Sequence, residues 1–523
     1  MSAKKYYITT AIAYASQKPH IGNMYDAVVT DLLARWKRMQ GYDVWFLTGT
    51  DEHGLKIENL ARQAGVSPKA YVDDITAGLK EVLKILGISY DQFIRTTDDY
   101  HEAAVQAAFQ KLFEQGDIYL GKYEGLYCTP CESFWTATQL VDGKCPDCGR
   151  DVAAASEEAY FFRLSKYQKW LEDFYAENPD FILPETRRGE MLNNFIKLGL
   201  QDLCVSRSTF RWGIPVPLDP KHVVYVWMDA LLNYATAIGY HPNGSSATYQ
   251  KYFPADLHVI GKDICRFHTV YWPIFLKALG EPIPKRVFAH QWLLMKRGKM
   301  SKSTGNVIYA DELAQKIGVD AVRYYMLAEM PYTTDGTISL DTVFDRYNTD
   351  LANVLGNLVN RTLAMNNKYF GGIVQAPAAR DALDAEVNDF AKMTAEQYAT
   401  RLDACRIADA VETVMSLAKR LNKYIDETAP WALAKDESLS PRLGTVLYTL
   451  LENIRVLAFL LAPVMPRTAQ NILSQLQPDC NPKAILDAGI GAMEEKLPVG
   501  GKTTETPTPL FARLDAKTFF EAE

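Results

Sequence analysis

The first fifty residues alternate between segments with strand-like and helix-like spacing of apolar positions. Residues 5–13 are rich in β-branched and aromatic side chains, and the turn-forming residues at 16–19 end this segment. Apolar positions then recur every three or four residues as far as Trp36, and Gly41 is placed to end the helix. A second apolar strand follows at 44–47. This order predicts a parallel, doubly wound α/β sheet of the Rossmann type.

The alternation of strands and helices stops near residue 118 and resumes near 216. The interval contains paired cysteines and many aromatic and turn residues. Beyond it a helix is predicted over 263–279, and strands are predicted at 223–227, 257–260 and 287–290. The chain is therefore expected to fold as one α/β domain in two halves, 1–117 and 216–305, split by a connective insertion over 118–215.

The remaining chain carries helical spacing only. Runs of apolar residues at this spacing cover 351–359, 402–421 and 447–457. They predict an antiparallel helical bundle over 349–523 that ends in an extended segment, with 306–348 as a linker between the two parts.

Composition places the chain among ordinary globular proteins. Of 523 residues, 48% are hydrophobic and 23% are charged. The longest purely apolar run, 456–465, is interrupted by Pro463 and is too short to span a bilayer, and no secretory leader is expected. The remaining cysteines are scattered singly, which fits a reducing compartment better than a disulfide framework. The protein is therefore expected in the cytoplasm, with no membrane partner.

The formal net charge of −7 argues against binding nucleic acid through bulk charge. Residues 285–302 nevertheless contain six basic and no acidic side chains. This segment is expected to form a basic strip at a phosphate-binding site.

Four of the eight cysteines form two close pairs, Cys128/Cys131 and Cys145/Cys148, each with two intervening residues. Two such pairs suit tetrahedral Zn²⁺, and four thiolates leave no open position for a substrate. We expect one structural zinc. Redox-active or free thiols are the alternatives.

Two segments have the composition of phosphate-binding elements. Residues 19–23 lie at a strand-to-helix junction, where backbone N–H groups point at a ligand and Gly22 permits close approach. Residues 296–305 combine four basic side chains with hydroxyls and glycines, but without the spacing of a Walker loop. A capping turn and a solvated basic loop are the alternatives.

Together these segments resemble the two signatures of class I aminoacyl-tRNA synthetases. The first, His-Ile-Gly-His in the family, is His20-Ile21-Gly22-Asn23 here, and the second, Lys-Met-Ser-Lys-Ser, is matched in full at 299–303. The resemblance implies catalytic roles for His20, Asn23, Lys299 and Lys302. It implies ATP contacts from His20, Gly22, Asn23, Asp263, Lys299, Ser301 and Lys302, with Asp263 accepting from the ribose. A helix N-cap is the alternative for Asp263, and the two roles are compatible. Asn23 replaces a histidine and cannot carry positive charge.

Within that family the chain is most similar to the methionine-specific members. The motifs that carry this likeness are residues 11–14, 49–54, 225–230 and 261–268. The resemblance implies a methionine pocket formed by Ile12, Tyr14, Asp51, Trp227, Ala230, Leu231, Tyr234, Ile264, His268 and Trp272. Asp51 would hold the ammonium group, aromatic rings would pack on the thioether, and Tyr14 and His268 would donate weakly to its sulfur. Core packing is the alternative for each aromatic residue alone.

The helical region resembles the family's anticodon-binding bundle. By that resemblance, Asn357 and Arg361, one helical turn apart, would read base edges, and Trp431 would stack on a splayed base. A surface pair and a buried tryptophan are the alternatives.

The resemblance implies an ATP-dependent ligase that joins methionine to initiator and elongator tRNA(Met), uses Mg²⁺ with ATP, and acts as a monomer. Two alternatives stay open. One is a class I enzyme for another amino acid, which the modest size of the insertion disfavours. The other is a non-catalytic tRNA-binding protein, for which Asn23 is the one hint.

Overall fold

The computed structural model describes residues 3–520 except 130, 132, 136, 138, 139, 147 and 296–306. The second signature, 299–303, therefore lies outside the described residues.

The strands and helices of the described residues are numbered in chain order. The strands are β1 (Lys5–Thr10), β2 (Ala13–Tyr14), β3 (Asp43–Asp51), β4 (Gln92–Arg95), β5 (Ile118–Cys128), β6 (Ser133–Trp135), β7 (Ala153–Phe162), β8 (Ile182–Leu183), β9 (Leu203–Cys204), β10 (Ser206–Arg207), β11 (Pro215–Val216), β12 (Asp219–Val224), β13 (Leu257–Gly261), β14 (Val287–His290), β15 (Leu293–Met295) and β16 (Gly336–Ile338). The helices are α1 (Ile21–Met39), α2 (Leu55–Ala64), α3 (Pro68–Ile85), α4 (Asp99–Glu114), α5 (Gln168–Glu177), α6 (Glu185–Met191), α7 (Val226–Thr236), α8 (Ala247–Tyr252), α9 (Trp272–Leu279), α10 (Ala310–Ile317), α11 (Val319–Glu329), α12 (Leu340–Arg346), α13 (Asn357–Phe370), α14 (Ala382–Asp403), α15 (Ile407–Thr428), α16 (Pro430–Leu433), α17 (Ser440–Leu461), α18 (Pro466–Leu476), α19 (Pro482–Asp487) and α20 (Ala516–Phe520).

The main sheet is parallel at every described pairing and confirms the Rossmann-type fold. Its strands run in the order β4-β3-β1-β13-β14-β8, and the short β2 lies beside the end of β3. The strand order reverses between β1 and β13. In open α/β sheets this switch point, at the carboxyl ends of the strands, is where ligands bind.

The insertion is built from antiparallel strands. A four-stranded sheet in the order β6-β5-β7-β9 is dominated by the long ribbon of β5 and β7. The chain returns to the main sheet at β8, inside the 118–215 span, because Ile182 and Leu183 pair with β14.

The strand predicted at 223–227 is wrong in two respects. Observed β12 ends at Val224 and pairs with β10 and β11 in a separate antiparallel sheet. Trp227 lies in the first turn of α7, because the backbone of Tyr225, at φ −62° and ψ 134°, acts as the N-cap.

The second half of the chain forms the predicted helical bundle. The apolar run at 402–421 is divided between α14 and α15, which are separated by a turn in which Cys405 has φ +56°. Among the described residues, one helical stretch, Glu437–Leu461, is long and apolar enough to cross a membrane, and 94% of its apolar window is buried inside the protein. It packs as the central helix of the bundle.

One buried arginine joins the α/β domain to the bundle. Arg323 of α11 is 1% exposed, and its guanidinium lies 2.8 Å from the Asp31 carboxylate of α1. It also donates to the carbonyls of Pro463 and Val464, both at 2.9 Å, in the turn that follows α17. The two parts of the molecule are therefore held together by a buried ion pair as well as by apolar packing.

Candidate active site

The candidate site lies at the switch point of the main sheet, where four strand ends and one helix start converge. Tyr14 follows β1, Asp51 ends β3, Asp263 follows β13, and His290 ends β14. His20 precedes α1, which follows β1 in the chain.

His20 is the N-cap of α1 and shares a reciprocal pair of hydrogen bonds with Asn23. The backbone N–H of Asn23 donates to His20 Nδ1 at 3.3 Å, and the backbone N–H of His20 donates to Asn23 Oδ1 at 3.2 Å. Because Nδ1 accepts, a neutral His20 carries its proton on Nε2. Asn23 thus orients the first signature through its side-chain oxygen, while its amide nitrogen retains donor capacity.

The described segments on both sides of 296–306 approach α1. On the amino side, His290 Nε2 makes a short hydrogen bond to Asp26 Oδ1 of α1. On the carboxyl side, the N–H of Ile21 donates to the carbonyl of Ile308 at 2.9 Å. Lys18 then reaches Asp311 at 2.9 Å. The described residues that flank 296–306 therefore lie beside the first signature.

The two described basic residues of the strip predicted over 285–302 lie away from the candidate site. Lys285 and Arg286 precede β14, at the edge of the sheet opposite to the site. There Lys285 pairs with Asp256 at 2.6 Å, and Arg286 donates to the carbonyl of Asp403 at 2.9 Å. The other four basic residues of the strip lie outside the described residues.

Asp263 is exposed and sits in a 3₁₀ turn, Lys262–Ile264, directly after β13. The N-cap alternative is wrong, since Gly261 occupies the capping position and no side chain caps this turn. Asp263 Oδ1 accepts from Trp292 Nε1 at 3.1 Å, and a Cβ at Gly261 would lie only 2.6 Å from the same oxygen. Glycine is therefore required for Asp263 to hold this position.

The residues predicted to bind methionine come from the segment that follows β1 and includes β2, from the end of β3, from helix α7, and from the helical stretch over 262–279. Ile12, Tyr14, Trp227 and Ile264 are partly exposed, whereas Asp51, Ala230, Leu231, Tyr234, His268 and Trp272 are buried. Trp227 stacks face to face on Phe267, with ring centroids 3.6 Å apart. Trp272 is fully buried, so it supports the pocket from behind.

Hydrogen bonds determine the tautomers of the two histidines behind this pocket. His268 Nδ1 donates to the carbonyl of Ile264 at 3.0 Å, so its Nε2 accepts from the Tyr234 hydroxyl at 2.7 Å. Trp272 Nε1 donates to His258 Nε2 at 3.3 Å, so Nδ1 of His258 donates to Thr9 Oγ1 at 2.7 Å.

Burial keeps both rings neutral: it lowers the pKa of His268 to about 4 and that of His258 well below its ordinary value. The expectation that His268 donates to the sulfur is therefore wrong in this arrangement, because its one proton is already given to Ile264.

Three buried polar clusters around the site were not predicted as functional. Glu52, directly after Asp51, is fully buried. Its carboxylate accepts from Nε and Nη2 of Arg95, at 2.7 and 2.9 Å. His53 and His101 both bond the carboxylate of Asp229. The third cluster is the His290–Asp26 pair, in which Asp26 and the carbonyl of Gln291 outweigh burial and raise the pKa of His290. The motifs at 49–54 and 225–230 contained Glu52, His53 and Asp229, but sequence alone does not show which side chains meet.

The four paired cysteines converge beyond the end of β5. Their sulfur atoms all lie within 4.8 Å of one another, and those of Cys128 and Cys148 are 3.5 Å apart. Tetrahedral zinc with bonds of about 2.3 Å requires sulfur separations of about 3.8 Å, so the donor set fits this metal. All four positions would be filled by protein ligands, which is typical of a structural site.

The predicted anticodon-binding residues lie on the bundle. Asn357, which begins α13, is exposed. Arg361 Nη2 lies 3.4 Å from Asp426 near the end of α15, and Trp431 follows in α16 with 45% of its surface exposed. The buried alternative for Trp431 is therefore wrong.

Profiles of two protein families match most of the chain. The profile described as tRNA synthetases class I (M) matches residues 6–157 and 151–363. The profile described as anticodon binding domain of methionyl tRNA ligase matches residues 375–521.

Individual relatives agree with these profiles. Methionine--tRNA ligase of Clostridium perfringens is 56% identical over 476 residues, which are 91% of this chain and 74% of the relative. The enzyme of the same description from Lactiplantibacillus plantarum is 50% identical over 526 residues, 98% of this chain and 76% of the relative.

Solved structures agree over the whole fold. Methionyl-tRNA synthetase of Mycobacterium tuberculosis in complex with methionyl-adenylate superposes with a TM-score of 0.92 at 42% identity, covering 98% of this chain and 100% of that one. Its apo form gives 0.84 at 40% identity, covering 98% and 99%.

Proposed function

Because this chain belongs to the methionyl-tRNA synthetase family of class I, we propose specific roles for its residues in the two steps of methionine–tRNA ligation. In the first step the methionine carboxylate attacks the α-phosphorus of ATP, and pyrophosphate leaves. In the second a ribose hydroxyl at the 3′ end of tRNA attacks the carbonyl of methionyl-adenylate, and AMP leaves. Neither step needs a nucleophile from the protein, so catalysis rests on positioning and charge stabilisation.

We assign the phosphate contacts of the first step to the two signatures. The observation that carries this proposal is the N-cap geometry of His20, which places the first signature at the positive amino end of α1, a site suited to a phosphate group. Asn23 holds His20 in that orientation and donates through its amide, and Gly22 admits the nucleotide. Lys299, Ser301 and Lys302 follow the transferring charge, and the exposed Asp263 accepts from the ribose. Mg²⁺ bound with ATP would neutralise part of the phosphate charge.

For methionine we assign the ammonium group to Asp51 and the side chain to the slot between Trp227 and the rings behind it. The slot is lined by Ile12, Tyr14, Ala230, Leu231 and Ile264, with Tyr234, His268 and Trp272 at its base. Neutral histidine and aromatic faces suit a polarisable thioether and disfavour a charged side chain. Selectivity for methionine then comes from shape and polarity, with Tyr14 rather than His268 as the weak donor to the sulfur.

We assign the remaining contacts to parts distant from the chemistry. Cys128, Cys131, Cys145 and Cys148 hold one structural Zn²⁺ in the insertion. Asn357 and Arg361 read anticodon bases and Trp431 stacks on one, which its exposure permits. Initiator and elongator tRNA(Met) are both substrates of a monomer that acts in the cytoplasm. The catalytic domain comprises 1–117 and 216–305 together with β8, which pairs with β14 in the main sheet.

ATP–pyrophosphate exchange with each of the twenty amino acids tests the proposal. Methionine alone is expected to support exchange, and Lys302→Ala is expected to slow it by about a hundredfold or more, as loss of a transition-state charge contact does. The exposed Lys169 provides a matched control, Lys169→Ala, with unchanged exchange. Exchange at the wild-type rate in Lys302→Ala would remove that residue from the mechanism.

A further inference from the structure

A carboxylate held between two histidines is buried beside the methionine pocket without being part of it. Asp229 Oδ2 lies 2.7 Å from His53 Nδ1, and Asp229 Oδ1 lies 2.8 Å from His101 Nε2. All three side chains are buried, Asp229 and His101 completely. His101 Nδ1 also meets Thr236 Oγ1 at 2.7 Å, so both carboxylate oxygens and the His101 ring are fully engaged.

The cluster joins the two halves of the proposed methionine site. His53 lies two residues beyond Asp51, which ends β3 and receives the ammonium group in our proposal. Asp229 lies on α7 between Trp227 and Ala230, which line the side-chain slot. His101 comes from the neighbouring helix α4, which packs on α7. The His53–Asp229 bond is thus a direct side-chain tie between ammonium acceptor and slot.

The electrostatics show that this tie is an ion pair. Burial opposes charge on both groups, but each stabilises the other, so the pKa of Asp229 falls below its ordinary value and that of His53 rises to about 10. Glu102, half-exposed with Oε1 3.6 Å from His53 Nε2, adds to this effect. A buried ion pair has strict geometry, because each charge is costly to leave without its partner.

The cluster is suited neither to a metal nor to the chemical step. The nitrogen and oxygen atoms are in direct hydrogen-bond contact, which leaves no space for an ion between them. His53 Nδ1 and both oxygens of Asp229 are occupied within the cluster, so neither group offers a proton acceptor to the reactants.

We propose that Asp229, clamped by His53 and His101, is a positioning residue for methionine: it sets the separation between the ammonium acceptor Asp51 and the side-chain slot on α7. This inference rests on the proposed function of Asp51. Because Asp229 and His53 lie beside the residues assigned to methionine, the proposal gives the cluster a role in methionine selection and none in ATP binding.

The test compares KM values for methionine and ATP in pyrophosphate exchange. Asp229→Asn, which keeps the shape and removes the charge, is expected to raise the KM for methionine about tenfold or more, while kcat and the KM for ATP stay within about threefold. It is also expected to reduce the preference for methionine over ethionine, which is one methylene longer, because the slot is no longer held at a fixed distance. Direct methionine binding by calorimetry should show the same loss.

Two substitutions at His53 separate positioning from mere packing. His53→Asn places an amide donor near the position of Nδ1 and is expected to keep the KM for methionine within about threefold. His53→Ala leaves Asp229 without this donor and is expected to raise that KM about tenfold. His222→Asn, at a buried histidine bonded to Ser206 in the separate antiparallel sheet, is the control and should change neither KM.

These variants give different results depending on whether the cluster positions methionine, only stabilises the fold, or acts on both substrates. If Asp229→Asn and His53→Ala alter the KM for ATP as much as that for methionine, or lower the melting temperature without changing the KM for methionine, the proposal is overturned. Asp51→Asn provides the separate check on the proposed function. An increased KM for methionine in Asp51→Asn but not in His53→Ala would contradict the positioning role alone, and no increase in either would contradict the assignment of Asp51. If Asp229→Asn does not fold, the two His53 variants decide the matter.

Discussion

Changing the pH between 4.5 and 10 should reveal two classes of buried histidine in this protein. His268 has a pKa of about 4, because burial disfavours its charged form. Burial also holds the pKa of His258 well below its ordinary value. His53, paired with Asp229, has a pKa of about 10 despite its burial. The chain contains eight histidines, few enough to follow individually.

The magnitudes follow from these values. At pH 5.5, an ordinary imidazole with a pKa of about 6.5 is roughly 90% protonated, whereas one with a pKa of about 4 is roughly 3% protonated. In the unfolded chain His268 takes up its proton below pH 6.5, and in the folded chain it does not. Folding stability therefore falls as the pH drops from 6.5 towards 4, by at most about 1.4 kcal/mol per pH unit for this residue.

The pH dependence of folding stability has the opposite sign for His53. Its folded pKa is raised, so its contribution to stability is fully present below pH 6.5 and is lost as the pH rises through about 10. The methionine slot therefore stays uncharged, and the His53–Asp229 pair stays ionised, throughout the neutral range.

The assay is NMR of protein carrying ¹³C at the Cε1 position of histidine, with peaks assigned through His268→Asn and His53→Asn. The His268 peak should keep its neutral shift down to about pH 5, and the His53 peak should keep its charged shift up to about pH 9. A His268 midpoint above pH 6, or a His53 midpoint near 6.5, would refute the account of the slot and of the ion pair respectively.

Three further predictions concern other parts of the molecule. Asn23→Ala removes the acceptor for the backbone N–H of His20, a capping contact worth about 1 kcal/mol. It should slow adenylate formation several-fold in single-turnover assays without changing the KM for methionine. A change confined to the KM for methionine would contradict this role. Trp431→Ala should weaken tRNA binding by about 1–3 kcal/mol while pyrophosphate exchange stays at the wild-type rate, and filter binding that shows no loss would exclude stacking. Cys148→Ser should lower the metal content from one zinc per chain to a substoichiometric value by elemental analysis, whereas the same change at Cys480, which is outside the cluster, should not.

The parts of the fold that follow from sequence are those with long, regular spacing. The strands at 257–260 and 287–290 and helix α1, ended by Gly41 at φ +81°, are present close to their predicted positions. The strand at 223–227 was misplaced, because β-branched residues continue across the point where the chain turns into α7. The break at Cys405 has no glycine or proline to mark it.

The sequence predicts which residue types form the site, but it does not predict which side chains pair with one another. The signatures and the cysteine pairs can be recognised in the sequence from their residue spacing. The partners of Glu52 and Asp229 are far away in sequence, so only the fold brings them together. Lys285 and Arg286 illustrate the same limit, because they precede β14 and pair with Asp256 and the carbonyl of Asp403, away from the candidate site.

The Arg323 junction has a consequence for how the molecule can be divided. Helix α1 begins at the first signature and, about 16 Å further along its axis, presents Asp31 to Arg323 and so to the turn after α17. A cut between the α/β domain and the bundle would leave a charged pair with its bundle partners removed. The middle of α1, the helix capped by His20, is thus linked to the bundle through Arg323. A hybrid that joins this catalytic domain to a foreign bundle must therefore supply carbonyl groups equivalent to those of Pro463 and Val464.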